Sequence, residues 1–124
     1  NPYDNRKIFF NKTTNLVKHS KMVLTHVSTS THFAVLYKKP IIFLNSSKYS
    51  SRYFNAIKSY SHIFDKEPIE VDDYNEKKEL DLKINEERYT AYKNKYIKIS
   101  GTPEKKIWEI FISNIEKSVK NICD

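Results

Sequence analysis

Glycine is almost absent from this chain: Gly101 stands alone among 124 residues. The glycine-rich phosphate loops of P-loop and dinucleotide-binding folds, which need a backbone free of Cβ where it meets the ligand, are therefore excluded. Turns must be made by Asn, Asp, Ser and Pro, and a phosphate site must be built from hydroxyls and a helix N-terminus. Cysteine is equally scarce. Cys123 has no second cysteine for an internal disulfide or a zinc cluster, which suits a reducing compartment. No apolar run approaches the roughly 20 residues that cross a bilayer. The chain opens Asn-Pro-Tyr-Asp-Asn-Arg, unlike a secretory leader, and without a methionine it reads as a piece of something longer.

What is present fits one domain with one core. Hydrophobic residues make up 39%, a modest share, but 14% are aromatic and each of those buries a large area. A net charge of +7 raises the question of nucleic acid or an anionic membrane. The lysines are scattered along the chain among Asn, Ile, Tyr and Ser, so a solvated basic surface is the stronger reading and a nucleic-acid interface the weaker one.

Apolar patterning alternates helix and strand in the first half. Thr13-Thr14-Asn15 is suited to cap a short helix carrying Leu16 and Val17. Residues 22–26 form a short apolar strand, 28–31 a polar turn, 32–38 a helix ended by Pro40, and 41–44 a continuous apolar strand. Continuous apolar strands joined by short helices predict a parallel sheet covered on both faces. The second half is more helical. Residues 50–64 place Tyr53, Phe54, Ile57, Tyr60 and Phe64 on one stripe, 68–72 form a short strand, and 76–96 a charged helix with Leu80, Ile84, Tyr89, Tyr92 and Tyr96 inward. Thr102-Pro103 reads as the start of a final helix whose stripe runs through Trp108, Phe111, Ile112, Ile115, Val119 and Ile122, with Trp108 expected in the core. The fold class expected is α/β: a Rossmann-like three-layer domain with a short parallel sheet and long C-terminal helices.

The segment with chemical potential is 25–31. Ligands of open parallel sheets bind beyond the carboxyl ends of the strands, and this turn lies there. Ser28, Thr29, Ser30 and Thr31 supply four hydroxyls beside the amide groups and positive dipole end of the next helix, and His26 stands at the strand end. The competing reading is that these Ser and Thr residues only cap the helix.

The run Thr13-Thr14-Asn15-Leu16-Val17-Lys18-His19-Ser20, the apolar strand, Ser28-Thr29-Ser30, an Ala in the helix and Lys39-Pro40-Ile41-Ile42-Phe43-Leu44 together resemble the donor-binding domain of GT-B glycosyltransferases of bacterial surface polysaccharides. Capsule and lipooligosaccharide transferases, including sialyltransferase-like enzymes, are similar there. The resemblance covers about a third of the chain. It implies that Ser28, Thr29, Ser30 and Thr31 contact the phosphate of a nucleotide-activated sugar, with His26 donating to the same group. Two positions depart from it: Lys38 replaces a Gly before the Lys-Pro pair, and His32 replaces a ribose-holding Glu. The donor's base and sugar therefore stay open.

The resulting expectation is a single domain over 1–124, the C-terminal nucleotide-sugar-binding half of a longer two-domain cytoplasmic transferase, peripheral to the inner face of the membrane. The glycan acceptor and the general base would come through a missing N-terminal half, so the piece alone should show no turnover; no cofactor or metal is expected. Asp72-Asp73 reads as a strand-ending turn, since neighbours on a strand point to opposite faces. The carboxylates Glu76, Glu79, Glu86 and Glu87 read as solvated or paired with Lys at helical spacing, and Tyr89, Tyr92 and Tyr96 as packing rather than base-stacking residues. The alternative function is a non-catalytic interaction or nucleic-acid-binding module.

Overall fold

The computed structural model describes residues 7–72 and 79–123. Helix α1 (Thr13–His19) leads to β1 (Val23–Thr25), α2 (Ser30–Leu36), β2 (Ile41–Asn45), α3 (Ser51–His62) and β3 (Ile69–Glu70). Helix α4 (Glu86–Tyr92) runs into a π-helical turn at Lys93–Ile97, and α5 (Ile107–Cys123) closes the described chain. The strands form one parallel sheet in the order β1-β2-β3, with Val23 opposite Ile41 and Leu44 opposite Ile69. The chain is thus α/β with a short open parallel sheet, as its patterning predicts. No helix among the described residues is long and apolar enough to cross a membrane.

The core lies on one face of that sheet. Val23, Ile41 and Phe43 point into it from the strands, meeting Val17 of α1, Ala34 and Val35 of α2, Ile57 of α3, Phe64, and Tyr89 and Tyr92 of α4. Strand order explains why α2 and α3 share a face. Right-handed crossovers that step the same way across a sheet place their helices on the same side. Covering both faces needs a reversal of strand order, and β1-β2-β3 has none. Leu24, Ile42, Leu44 and Ile69 therefore line a groove on the opposite face, and no helix of the described residues contributes to it.

With one glycine available, helices must end on other residues. Lys38 adopts φ 49° after α2, where the Lys39 amide donates to the Ala34 carbonyl (2.8 Å) and the Lys38 amide to that of Val35 (3.2 Å). Asp65 at φ 59° ends α3 in the same way, with the Lys66 amide donating to the Ser61 carbonyl at 3.2 Å. Both are Schellman turns with a side chain in the left-handed position that glycine normally fills. The strain there costs about 1–2 kcal/mol, more than glycine's extra backbone entropy of about 0.5–1 kcal/mol. Lys38→Gly is therefore expected to stabilise the fold by a few tenths to about 1 kcal/mol in urea unfolding. The lost Lys38–Glu86 ion pair, 2.9 Å and exposed, offsets little of that gain.

Several helix boundaries differ from expectation. Thr13 is the first residue of α1 rather than its cap; Lys12 holds the cap position with no side-chain bond. The charged helix expected from 76 begins, among described residues, only at Glu86, because the Asn85 side chain accepts the Arg88 amide at 3.1 Å and caps it. The final helix begins at Ile107, not at Thr102. The Thr102 hydroxyl instead donates to the Ile99 carbonyl at 2.7 Å, a local bond that competes with capping. Glu109 takes over at the helix start, accepting the Lys106 amide at 3.3 Å. The placement of Trp108 in the core is also overturned: it is 71% exposed, because α5 lies off the packed face and its apolar stripe finds no cover among the described residues.

Candidate functional site at the carboxyl edge of the sheet

Because all three strands are parallel, their carboxyl ends deliver His26, Ser46-Ser47 and Asp72 to one edge. The ring of His26 meets Tyr49, whose hydroxyl lies 3.0 Å from its Nε2. Tyr53, from the first turn of α3, packs edge-on to Tyr49 with centroids 5.2 Å apart, and the Ser50 hydroxyl caps that helix by accepting the Tyr53 amide. This half-exposed aromatic group joins the end of β1 to the β2–α3 connection.

Asp72 anchors the other side. One carboxylate oxygen accepts from the Ser46 hydroxyl (2.7 Å), the Ser47 amide (2.8 Å) and the Ser47 hydroxyl (3.0 Å), and Lys48 Nζ approaches the other at 3.4 Å. The Ser46 hydroxyl above all, then the Ser47 donors and Lys48, lower its pKa from 3.8 to about 2. A group whose folded pKa is depressed stabilises the fold above its unfolded value, and that contribution disappears as pH falls through the folded value. The Asp72 contribution is thus complete above pH 4 and lost between about 4 and about 2. Ser46→Ala should move the Asp72 carboxyl titration, followed by NMR, upward toward 3.8.

The turn at 25–31 is closed on itself. The Ser30 amide donates to the Ser28 hydroxyl (3.2 Å), the Thr31 amide to the Ser28 carbonyl (3.2 Å) and the His32 amide to the Thr29 carbonyl (3.0 Å). The hydroxyls of Ser28 and Ser30 lie 2.9 Å apart. The first amides of α2, which the sequence reading places free toward a ligand, thus already have partners. Thr31 is wholly buried, and its hydroxyl has no partner among the described residues. It faces the packing of α2, not solvent. Thr29 is exposed, while Ser28, Ser30 and His26 are half-buried. Of the five residues singled out from sequence, four reach the surface near the edge and one does not.

Tyr49, Ser46, Ser47 and Asp72 were not singled out as site residues. The signal was available: Asn45-Ser46-Ser47-Lys48 follows an apolar strand as Ser28–Thr31 follows the one before it. Asp73 lies outside the described residues. Among those described, no group of three His, Cys, Asp or Glu side chains could hold a metal ion. The recess of about 340 Å³ lined by Lys66, Pro68, Ile69 and Asp81 sits at the amino ends of β2 and β3, away from this edge. There Lys66 is nearly buried and pairs with Asp81, tying the segment after 79 to the end of α3 and holding the Asp81 carboxyl below its usual range. Tyr89 and Tyr92 are packing residues, as their spacing predicts. Each is buried, and burial pushes both phenols up from the usual tyrosine range.

Comparison of the chain with protein-family models, with curated proteins and with solved structures finds no match in any of the three.

Proposed function

We propose that the chain binds a nucleotide-activated sugar at the carboxyl edge of its sheet, as the donor-binding half of a two-domain glycosyltransferase of bacterial surface polysaccharides. One observation carries the reading: three consecutive parallel strands bring an imidazole, two phenols and a set of serine hydroxyls to the edge where open α/β sheets take their ligands. In this reading His26 and the accessible hydroxyls of Ser28, Thr29 and Ser30 hold phosphate oxygens. Tyr49 and Tyr53 offer aromatic surface to the base. The amides of α2 contribute through their dipoles rather than as free donors. A three-layer arrangement, with the bare sheet face covered, belongs to the same proposal, as does a cytoplasmic location against the inner membrane face.

A thermal-shift titration with CMP-, UDP- and GDP-sugars tests it. One donor class should raise Tm, in line with a stabilisation of about 2.7 kcal/mol at 100 times Kd. His26→Ala with Ser28→Ala should abolish the shift. Thr31→Val should keep it, while stabilising the apo fold by about 1 kcal/mol, because a buried hydroxyl with no partner costs about 1–3 kcal/mol. No shift with any donor would sink the proposal. The exposed stripe on α5 favours a second reading, an interaction module, and a salt-sensitive shift with an oligonucleotide alone would point instead to nucleic acid.

A further inference from the structure

Among the described residues two apolar surfaces lack full cover, and they match. The face of the sheet opposite the core carries Leu24 and Val71 at the surface over half-buried Leu44 and Ile69 and buried Ile42, and with Leu80 they line a groove of about 320 Å³. Leu24 is 55% exposed and Val71 43%. Helix α5 presents Trp108, Phe111, Ile112, Ile115 and Val119 on one stripe, each about half exposed or more. From Trp108 to Val119 that stripe rises about 16 Å. A five-residue strand such as β2 spans about the same length.

We propose that α5 of one chain seats in the sheet groove of a second copy, reciprocally, so that two chains form a two-fold dimer in which each helix supplies the partner's missing third layer. The linker argues for a second copy over the chain's own groove. Ile97 packs against the core, so α5 departs from the covered side of the sheet. The linker is then folded on itself: the Ile99 carbonyl accepts both the amide (3.1 Å) and the hydroxyl (2.7 Å) of Thr102, the Lys105 amide donates to the Pro103 carbonyl (2.8 Å), and Lys98 pairs with Glu104. Docking within one chain requires that turn to open and the backbone to round the sheet edge. Docking onto a second copy leaves it intact, and exchange of an identical element is a common route to closed dimers. The area is sufficient. Trp108 and Phe111 at about 150–250 Å² each, the aliphatic residues beside them and the groove surface they cover together make on the order of 800 Å² for one helix in one groove. The reciprocal pair covers roughly 1,600 Å², the size of a stable interface. This inference does not depend on the ligand proposed for the carboxyl edge.

Trp108 is the one tryptophan of the chain, so its emission reports on α5 directly. Sedimentation of the chain between about 1 and 100 µM should show a dimer, with Trp108 emission shifting to the blue in step with the mass. Leu24→Asp on the groove, or Phe111→Asp with Ile115→Asp on the helix, should each give a folded monomer with solvent-exposed Trp108, dimerising at least ~100-fold more weakly because a carboxylate would be buried without a partner. Both sites are exposed in the monomer, so cooperative unfolding and the far-UV spectrum should persist. Mixing the two variants should restore a dimer through the one intact helix–groove pair, which a chain that buries its own helix cannot do. A monomer at every concentration overturns the proposal, whether Trp108 is buried or exposed. So does a dimer that survives both variants, or a blue shift that needs anionic vesicles while the chain stays monomeric.

Discussion

Phe64→Ala is expected to lower the unfolding free energy by about 3–5 kcal/mol, the range for truncating a buried aromatic. Phe64 is wholly buried at the centre of the aromatic core: its ring lies 4.7 Å from Tyr92, 5.6 Å from Tyr89, 5.7 Å from Phe43 and 5.9 Å from Tyr60. Those rings belong to α3, β2 and α4, so one side chain holds three elements together. Edge-on, tilted and stacked contacts of this kind each contribute about 0.5–1.5 kcal/mol beyond the area they bury. The hole left by alanine cannot close, because Tyr92 is tied to the Tyr60 hydroxyl at 2.7 Å and Tyr89 to the Lys39 carbonyl at 2.8 Å. Domains of this size are stable by about 5–15 kcal/mol, so equilibrium urea unfolding should show a much lower midpoint. Phe64→Leu, which fills most of the space, should cost well under half as much. An equal cost for both would show that ring packing is not the cause.

The second large effect is expected at Asn45, where β2 ends. Its side chain is wholly buried, donating from Nδ2 to the Phe54 carbonyl (3.3 Å) and accepting the Ser46 amide (3.0 Å), while its own carbonyl accepts the Val71 amide (2.9 Å). Asn45→Ala leaves the Ser46 amide without its acceptor, a loss of about 1–3 kcal/mol. It also frees the turn that presents Ser46 and Ser47 to Asp72. The Asp72 titration should therefore rise together with the loss of stability, and a change in one without the other would separate the two roles. Asn45→Asp keeps the acceptor but buries a charge beside a carbonyl. It should be the more damaging change at neutral pH and the milder one at a pH low enough to protonate it.

How much of this was legible follows from the range of the interactions. The strands at 23–25 and 41–45, helix α3 and the packing role of Tyr89 and Tyr92 are written in local apolar spacing. Among the described residues the start of α4 lies later than its composition suggests, because a single Asn85 cap outweighs the helical composition of the residues from 79 onward. The carboxyl edge was half legible. The first serine turn stood out in the sequence, whereas the Asp72 cluster joins residues 25 and 26 positions apart, a distance that spacing cannot report.

By itself the sequence determined the class of fold, since short continuous apolar runs joined by amphipathic helices predict a small parallel α/β sheet. Only the tertiary structure decided which surfaces are covered. Strand order β1-β2-β3 sends both crossover helices to one face, and no helical period records the direction of a crossover. The same stripe that would bury Trp108 in a two-sided sheet therefore leaves it in solvent here. Thr31, polar and beside a helix start, lies instead in the interior. Periodicity says which side of an element is apolar; the topology says whether anything stands opposite it.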